Sequence, residues 1–219
     1  MAPPHLTDDD EFRATCFVVI DFEATTPTGR RPEPIDVAAL ALRLRAGHLT
    51  ETSRFTALIR PPTHAPVTRF DTEQTGITPG MLAGQPDAAT VLAGLDTRLD
   101  TPPYLLVAHN APTEAGILYD YRDHCSRLAA TNFLDTVRLA RVVYPDLPSH
   151  RLDVLIHHLG LTWPADRHRA MPDVEITAEV FRRVVEHGAS TGRWHTLRQL
   201  RTDGGYPAKG GKPEQEALF

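Results

Sequence analysis

Two carboxylates one residue apart follow a short apolar run near the start of the chain. Residues 16–20 are apolar and lead directly into Asp21 and Glu23, which is typical of a strand buried on both faces. Because residues i and i+2 of a strand point the same way, these two side chains should project side by side. Two anions held that close repel each other, and Mg²⁺ or Mn²⁺ bound by their oxygens would relieve the repulsion. The alternative is a strand that ends at the surface with both carboxylates solvated.

Further acids and a histidine lie at the boundaries of later predicted elements. Glu114 falls on the core-facing side of a helix predicted over residues 113–128, where an acid needs a partner. Asp173 lies near the start of another helix, because Pro172 suits a first helical turn. His168 precedes it by five residues and is expected in the preceding loop. Four acids and a histidine around one point suit two-metal hydrolysis of a phosphodiester, with the histidine accepting the proton of the attacking water.

The elements that must position these side chains alternate between strands and helices. A hairpin follows the first strand, and helices then separate the later strands, so the pattern indicates an α/β domain with a mixed sheet. Strands are predicted near residues 35–44, 49–60, 104–108 and 132–134, and helices near 88–99, 113–128, 136–143, 151–159 and 172–186.

Composition narrows the class of protein. With 219 residues and 41% hydrophobic content, the chain fits one domain with a sizeable core and tails. It has no apolar run of about 18 residues, so no membrane span is expected. The acidic amino terminus lacks the pattern of a signal peptide, and Cys16 and Cys125 suggest a reducing cytoplasm rather than a disulfide scaffold. A net charge of −5 argues against a broadly basic nucleic-acid coat but not against nucleic acid as a substrate.

Three motifs carry the candidate residues in a fixed order. They are DFEAT at residues 21–25, AHNAPTE at 108–114 and HRAMPD at 168–173. In order, spacing and residue type they resemble the DnaQ-like (DEDDh) family of 3′–5′ exonucleases over residues 16–185. The resemblance implies a single domain with the ribonuclease H-like fold, a mixed sheet flanked by helices.

The resemblance also implies roles for individual residues and for two bound ions, Mg²⁺ or Mn²⁺. The implied substrate is the 3′ end of single-stranded DNA. Asp21, Glu23 and Asp173 would hold the nucleophile-side ion, Asp21 and Glu114 would bear on the second ion, and His168 would be the general base. The expected substrate-binding residues are Phe22, Ala24, Thr25, His109 and Asn110, whereas Asp135 and Asp153 are expected to be helix caps or arginine partners.

One position departs from the family pattern. The second motif normally ends in Phe-Asp, and here it ends in Thr113 and Glu114. Glu is one methylene longer than Asp, and a small misplacement of a metal ligand can lower a rate on the order of 10²-fold. A catalytically weakened module that binds nucleic acid or the sliding clamp therefore stays an alternative to the active enzyme, and an exonuclease acting on RNA is another.

The end of the sequence resembles the bacterial sliding-clamp-binding pentapeptide Gln-x-x-Leu-Phe. Gln215 would fix direction by hydrogen bonds while Leu218 and Phe219 fill an apolar pocket, which would place the enzyme in replication, as a proofreading or repair nuclease that could also bind a polymerase subunit. The alternative is a disordered tail that ends in two apolar residues by chance. The predicted division is a disordered acidic leader at 1–14, the exonuclease domain at 15–188, a short extension at 189–201 and a flexible tail at 202–219.

Overall fold

The computed structural model of the chain describes residues 5–27, 29, 31–162 and 169–210. In these ranges a six-stranded mixed sheet has the order β3-β2-β1-β4-β5-β6, and helices cover both of its faces. The predicted α/β architecture is therefore confirmed. The strands are β1 (Cys16–Ala24), β2 (Pro34–Arg45), β3 (His48–Leu58), β4 (Tyr104–Ala108), β5 (Phe133–Asp135) and β6 (Gly205–Tyr206). The helices are α1 (Asp10–Ala14), α2 (Arg69–Thr75), α3 (Pro79–Leu82), α4 (Ala88–Asp96), α5 (Pro112–Asp120), α6 (Ser126–Ala130), α7 (Thr136–Val143), α8 (Leu152–His158), α9 (Ala170–Ser190) and α10 (Leu197–Gly204).

Strand β1 lies in the middle of the sheet, antiparallel to β2 and parallel to β4. Its side chains alternate between two cores: Val19 packs in the core that contains α9, and Ile20 packs in the core that contains α4 and α5. The strand is thus buried on both faces, as predicted. Continuing the alternation, Asp21 and Glu23 share the side of Val19, and Phe22 takes the other.

The β2–β3 hairpin brings another acid to the same region. Its turn residues Ala46 and Gly47 both have positive φ, 48° and 83°, the backbone that a two-residue type I′ turn requires. The predicted strands at 35–44 and 49–60 are confirmed with small shifts at their ends. In the β1–β2 register, Asp36 lies directly opposite Glu23.

The helix predicted over residues 113–128 is wrong in its length. Helix α5 ends at Asp120, and α6 forms separately at Ser126–Ala130. The amide of Leu128 donates to Asp96 Oδ1 at 2.7 Å, so a side chain from α4 caps the first turn of α6. The apolar periodicity of the sequence carries no signal for this tertiary contact.

Helix α9 packs along the sheet and carries Asp173 in its first turn. Positions 174, 177, 178, 181 and 185 follow the helical repeat and predict its core-facing stripe, and all five side chains are buried. Neither this 21-residue helix nor any other helix in the described ranges combines the length and apolarity needed to cross a membrane. The stripe consists of Val174, Thr177, Ala178, Phe181 and Val185.

The predicted disordered leader is wrong for residues 5–14. Leu6 and Phe12 are each 1% exposed and belong to the core that contains α9. The carboxylate of Asp9 accepts hydrogen bonds from the amides of Phe12 and Leu197, which joins α1 to the start of α10. The buried Leu6 and Phe12 and the cap at Asp9 therefore attach this acidic segment to the domain.

The predicted flexible tail is wrong for residues 202–210. Helix α10 continues to Gly204, and β6 then pairs with β5. The amide of Ala208 donates to Asn132 Oδ1 at 2.9 Å, and the amide of Gly210 donates to Ala129 O at 3.1 Å. The proposed clamp motif, Gln215, Leu218 and Phe219, lies outside the described residues.

Candidate active site

Three carboxylates meet where β1 ends and α9 begins. Asp21, Glu23 and Asp173 each offer an oxygen, and these oxygens all lie within 4.8 Å of one another. Two come from one face of β1 and the third from the first turn of α9. The structure thus brings together three of the four acids that the sequence predicted to converge.

Burial and mutual repulsion disfavour the charged forms of these acids. Burial raises the pKa of Glu23 to about 7, helped by the charges of Asp173 and Asp36. Burial also raises the pKa of Asp21 well above its usual range, and the neighbouring carboxylates, Glu114 first among them, raise it further. A divalent cation would remove this penalty, and an all-oxygen donor set is the kind that Mg²⁺ and Mn²⁺ prefer. The residues therefore fit the metal that the sequence predicts.

Glu114 is placed differently from these three acids. Its side chain is 4% exposed in the first turn of α5, and it is not part of the set whose oxygens share the 4.8 Å limit. Burial raises its pKa to about 8. Its Oε2 has no hydrogen-bond partner among the described residues. A buried carboxylate oxygen without a partner is costly unless an ion or a proton satisfies it.

Sequence reasoning missed Asp36, a buried acid next to the site. Its Oδ2 accepts a hydrogen bond from Arg169 Nε at 3.1 Å and lies 3.4 Å from the amide of Ala170. The carbonyl of Arg169 in turn accepts from the amide of Asp173 at 3.2 Å. Asp36 thereby ties the start of α9 to β2. The available signal was a charged residue inside an apolar strand, between Ile35 and Val37.

Three of the five predicted substrate-binding residues line one cavity of about 550 Å³, here called the Phe22 cavity. Phe22, Ala24 and Thr25 lie on its β1 side, and Thr113 and Ile117 of α5 also line it. Thr25 is 1% exposed, and its Oγ1 accepts from the amide of Glu33 at 3.2 Å, so this residue also stabilises the loop after β1.

The other two predicted substrate-binding residues, His109 and Asn110, line a second cavity, here called the Arg141 cavity. It measures about 500 Å³, and its lining includes Arg141, Arg151 and the metal-ligand candidate Asp173. The five predicted residues are therefore divided between two cavities. Asp173 lines the second cavity, whereas the first is lined by Phe22, Ala24 and Thr113, which are chain neighbours of the predicted ligands.

The turn that carries His109 and Asn110 is held in a fixed shape. Asn110 has a φ of 76°, a left-handed conformation uncommon for a residue other than glycine. Asp135 Oδ1 accepts from the amides of Asn110 at 3.2 Å and Val137 at 2.9 Å, which confirms Asp135 as a helix cap. His109 Nδ1 lies 2.8 Å from Thr136 Oγ1, and burial lowers the pKa of His109 to about 4, so the imidazole is neutral at physiological pH.

Comparison with known proteins decides the family. A sequence model of the family described as Exonuclease matches residues 18–181. The chain belongs to this exonuclease family. The predicted resemblance to DEDDh exonucleases is thereby confirmed.

Two relatives and one solved structure are similar to this chain over most of its length. It is 30% identical over 204 residues to the DNA polymerase III subunit epsilon of Aquifex aeolicus, covering 91% of this chain and 96% of that protein. It is 31% identical to the PolC-type DNA polymerase III of Clostridium perfringens over 80% of this chain, but it spans only 11% of that much longer relative. The nuclease domain of 3′hExo, a DEDDh family member in complex with rAMP, matches with a TM-score of 0.68 and 20% identity over 83% of this chain and 96% of that one. This last similarity confirms the ribonuclease H-like fold.

The predicted general base of this exonuclease, His168, lies outside the described residues, and its role stays a prediction. The described chain resumes at Arg169, whose side chain is fixed by Asp36. The predicted alternative role of Asp153 as an arginine partner is confirmed, because Arg151 Nε lies 3.8 Å from its carboxylate.

Proposed function

We propose that this protein is a metal-dependent 3′–5′ exonuclease that removes nucleotides from the 3′ end of single-stranded DNA. The observation that carries the proposal is the set of three carboxylate oxygens, from Asp21, Glu23 and Asp173, within 4.8 Å of one another in a chain of the exonuclease family. Acids held this close raise one another's pKa and are poorly suited to packing, whereas a divalent cation bound between them would relieve their repulsion.

The acids divide into two ligand sets. Asp21, Glu23 and Asp173 would hold one Mg²⁺ or Mn²⁺ ion, and Asp21 and Glu114 would bear on a second. Ions bound there would stabilise the attacking and leaving oxygens of the phosphodiester. The close electrostatic coupling of Asp21 with Glu114 supports this division, and so does the unpartnered Oε2 of Glu114.

His168 would act as the general base. It would accept a proton from the attacking water, whose oxygen bonds to phosphorus while the bond from phosphorus to the upstream O3′ breaks. The terminal residue then leaves as a 5′-mononucleotide, and the shortened strand keeps a 3′ hydroxyl. The position of His168 directly before Arg169, which Asp36 anchors, supports this role.

The terminal nucleoside would occupy the Phe22 cavity. Phe22 and Ile117 offer apolar surface for a base, and the lining at Ala24 and Gly116 has little bulk. Arg31 also lines this cavity, but it forms an ion pair with Asp120, so much of its charge is already compensated.

The names of the relatives support DNA as the substrate and replication as the setting, in the cytoplasm and with a polymerase subunit as a further partner. Clamp binding through Gln215, Leu218 and Phe219 fits that setting. Because the chain is packed as far as Gly210, the motif would begin at most about 18 Å from that residue. A bound clamp would therefore lie close to the nuclease domain.

A 5′-labelled single-stranded DNA, incubated with the full chain and Mg²⁺ or Mn²⁺, tests the proposal. We expect a ladder of products shortened from the 3′ end, with Asp21→Asn as the inactive control. A matched RNA strand decides between DNA and RNA, because preferential RNA digestion would overturn the choice of DNA. Folded protein that shortens neither strand with either ion would overturn the exonuclease proposal.

A second candidate is a weakened module of the same fold that binds nucleic acid or the clamp. The observation that favours it is the exclusion of Glu114 from the close set of acids. This candidate predicts tight binding of a labelled 3′ end by anisotropy together with turnover near background. The first candidate predicts turnover.

A further inference from the structure

The two cavities that hold the predicted substrate-binding residues are lined by different kinds of side chain. Phe22, Ile117 and Pro32 give the Phe22 cavity a largely apolar lining. The Arg141 cavity is lined mainly by polar groups: guanidinium, imidazole, amide and hydroxyl groups, together with the carboxylates of Asp153 and Asp173. A nucleic acid strand offers both kinds of surface, because its bases stack on apolar side chains and each linkage carries a negative charge. The two cavities therefore suit different parts of one strand.

The strand brings negative charge to a site that is itself acidic. Three nearby cations already have partners: Arg169 is held by Asp36, Arg31 is paired with Asp120, and Lys209 of the Phe22 cavity lies 3.4 Å from the carbonyl of Pro112. Either guanidinium would have to share its charge with a carboxylate in order to bind a phosphate. A strand that continues past the scissile linkage needs other cations.

Arg141 and Arg151 are cations with few other partners. The side chain of Arg141 makes no hydrogen bond or ion pair to the residues that the structure describes. Arg151 Nε lies 3.8 Å from Asp153 Oδ1, and these side chains are 82% and 53% exposed, so the pair is weak. Both arginines line the cavity that also contains Asp173. Guanidinium groups in such a position are suited to binding a phosphate.

The same cavity has a polar wall that is already ordered. His109 and Asn110 are fixed through Thr136 and Asp135. The carboxylate of Asp135 is engaged with backbone amides, so it is not directed at an incoming phosphate. A prearranged wall lowers the entropy lost on binding.

We infer that the Arg141 cavity binds the phosphodiester linkage immediately 5′ of the scissile one, with Arg141 and Arg151 contacting its phosphate oxygens. The inference rests on the proposed function, because it assumes that the 3′-terminal nucleoside occupies the Phe22 cavity. The strand then runs from the apolar cavity, past the carboxylates, into the polar cavity. A substrate with only one linkage cannot use the second site.

Short substrates of defined length test this assignment. The p-nitrophenyl ester of thymidine 5′-monophosphate and the dinucleotide TpT each offer only the scissile linkage, whereas the trinucleotide TpTpT adds the next one. We expect the native protein to show a KM about tenfold lower for TpTpT than for TpT. In the Arg141→Ala/Arg151→Ala double variant this ratio should fall to about one, with kcat/KM for the ester within about twofold of native.

Arg183→Ala is the matched control. Arg183 is also an exposed arginine, about 15 Å along α9 from Asp173, and it pairs with Glu179 on the surface. The control should keep the native ratio of KM values and the native salt dependence of oligonucleotide binding, measured by anisotropy in Ca²⁺. The double variant should lower the slope of log Kd against log salt by about one.

The outcomes separate this inference from the proposed function. Equal KM values for TpT and TpTpT in the native protein would overturn the inference and leave the exonuclease proposal standing, as would a double variant that keeps the native ratio. A double variant that loses ester hydrolysis as strongly as TpTpT hydrolysis would also overturn it. Native protein that hydrolyses none of the three substrates would overturn the proposed function itself.

Discussion

The three acids on β1 and α9 differ from the acid on α5, Glu114, in burial and in spacing. Asp21, Glu23 and Asp173 are partly exposed and lie close together, on a central strand and a long packed helix. Glu114 is buried, lies outside that close set and stands on a helix of nine residues that has no side-chain cap. Among the described residues, only the first set brings its ligand oxygens within 4.8 Å of one another.

The difference shows how the supporting elements determine the geometry of a site. Strand β1 is paired on both sides, and Asp36 and Arg169 tie it through β2 to the start of α9. Glu114 is less firmly held, because its buried Oε2 has no hydrogen-bond partner among the described residues. We expect the three close acids to supply most of the cation affinity and Glu114 to make a smaller contribution to it.

Asp173→Asn should have the largest effect. It removes one of three mutually close ligands and keeps the shape of the side chain, so kcat should fall about 10³-fold or more. The measurement is single-turnover digestion of a 5′-labelled DNA strand in saturating Mg²⁺. The free energy of unfolding should change little, which far-UV circular dichroism and thermal melting would check. Activity within about tenfold of native would contradict the assignment of Asp173 as a ligand.

Asp36→Asn should have the next largest effect, although Asp36 is outside the close set. Losing the charge weakens the hold on Arg169 and so on the turn that carries Asp173, which should lower activity or cation affinity about 10-fold to 100-fold. The expected signature is a higher Mg²⁺ concentration for half-maximal rate.

Glu51→Gln is the control for this variant. It also removes a carboxylate that pairs with an arginine, Arg54, but on the exposed surface of β3. Its Mg²⁺ dependence should match that of the native protein. A native Mg²⁺ dependence in Asp36→Asn as well would contradict the positioning role.

Two substitutions of Glu114 should have smaller effects and separate its length from its charge. Glu114→Gln keeps the length of the side chain and removes its charge. It should lower the rate about tenfold if the carboxylate helps to bind a second ion. Glu114→Asp keeps the charge, and for an enzyme already adapted to Glu114 we expect a change within about fivefold. Measured in parallel on the same DNA strand, a gain of 100-fold or more in Glu114→Asp would instead identify the native protein as a weakened member of its family.

The sequence was sufficient to predict the parts of the site that depend on local periodicity. The two-residue repeat placed Asp21 and Glu23 on one face of β1, and Pro172 placed Asp173 in a first helical turn. The core stripe of α9 followed from the 3.6-residue repeat. In each of these cases the neighbouring residues in the chain determine the geometry.

What the sequence did not predict depends on contacts between distant residues. Asp36 is a buried acid in β2 whose charge is compensated by Arg169, 133 positions later, which donates to it. Helix α2 was also missed, although Thr68 and Asp71 form a capping box, and Asp71 further accepts from the amide and hydroxyl of Thr26. The fixed turn at Asn110 similarly needs Asp135, 25 positions later. Periodicity within a window of residues cannot report such pairs.

The smallest effect expected is a pH dependence of stabilisation by Mg²⁺. The pKa values of Glu23 and Glu114 are raised to about 7 and about 8 in the fold, so folded protein retains protons that unfolded chains lose near pH 4.5. Without a cation, these groups therefore lower the free energy of unfolding as pH rises from about 4.5 to about 8. Mg²⁺ binds the deprotonated acids, so it should raise the Tm little at about pH 6 and by about 5–10 °C at about pH 8.5.

The difference between the Tm values with and without Mg²⁺ is the quantity to compare. Titrating groups away from the cluster, such as His109, contribute equally to both values, so their contributions cancel. The comparison of the two acid sets then rests on two variants. Asp173→Asn should abolish the Mg²⁺-dependent rise in Tm, because the close set supplies most of the binding. Glu114→Gln should keep most of the rise and shift its onset to lower pH, because it removes the acid with the higher of the two pKa values. If Glu114→Gln abolished the rise instead, α5 rather than β1 and α9 would supply the dominant ligand.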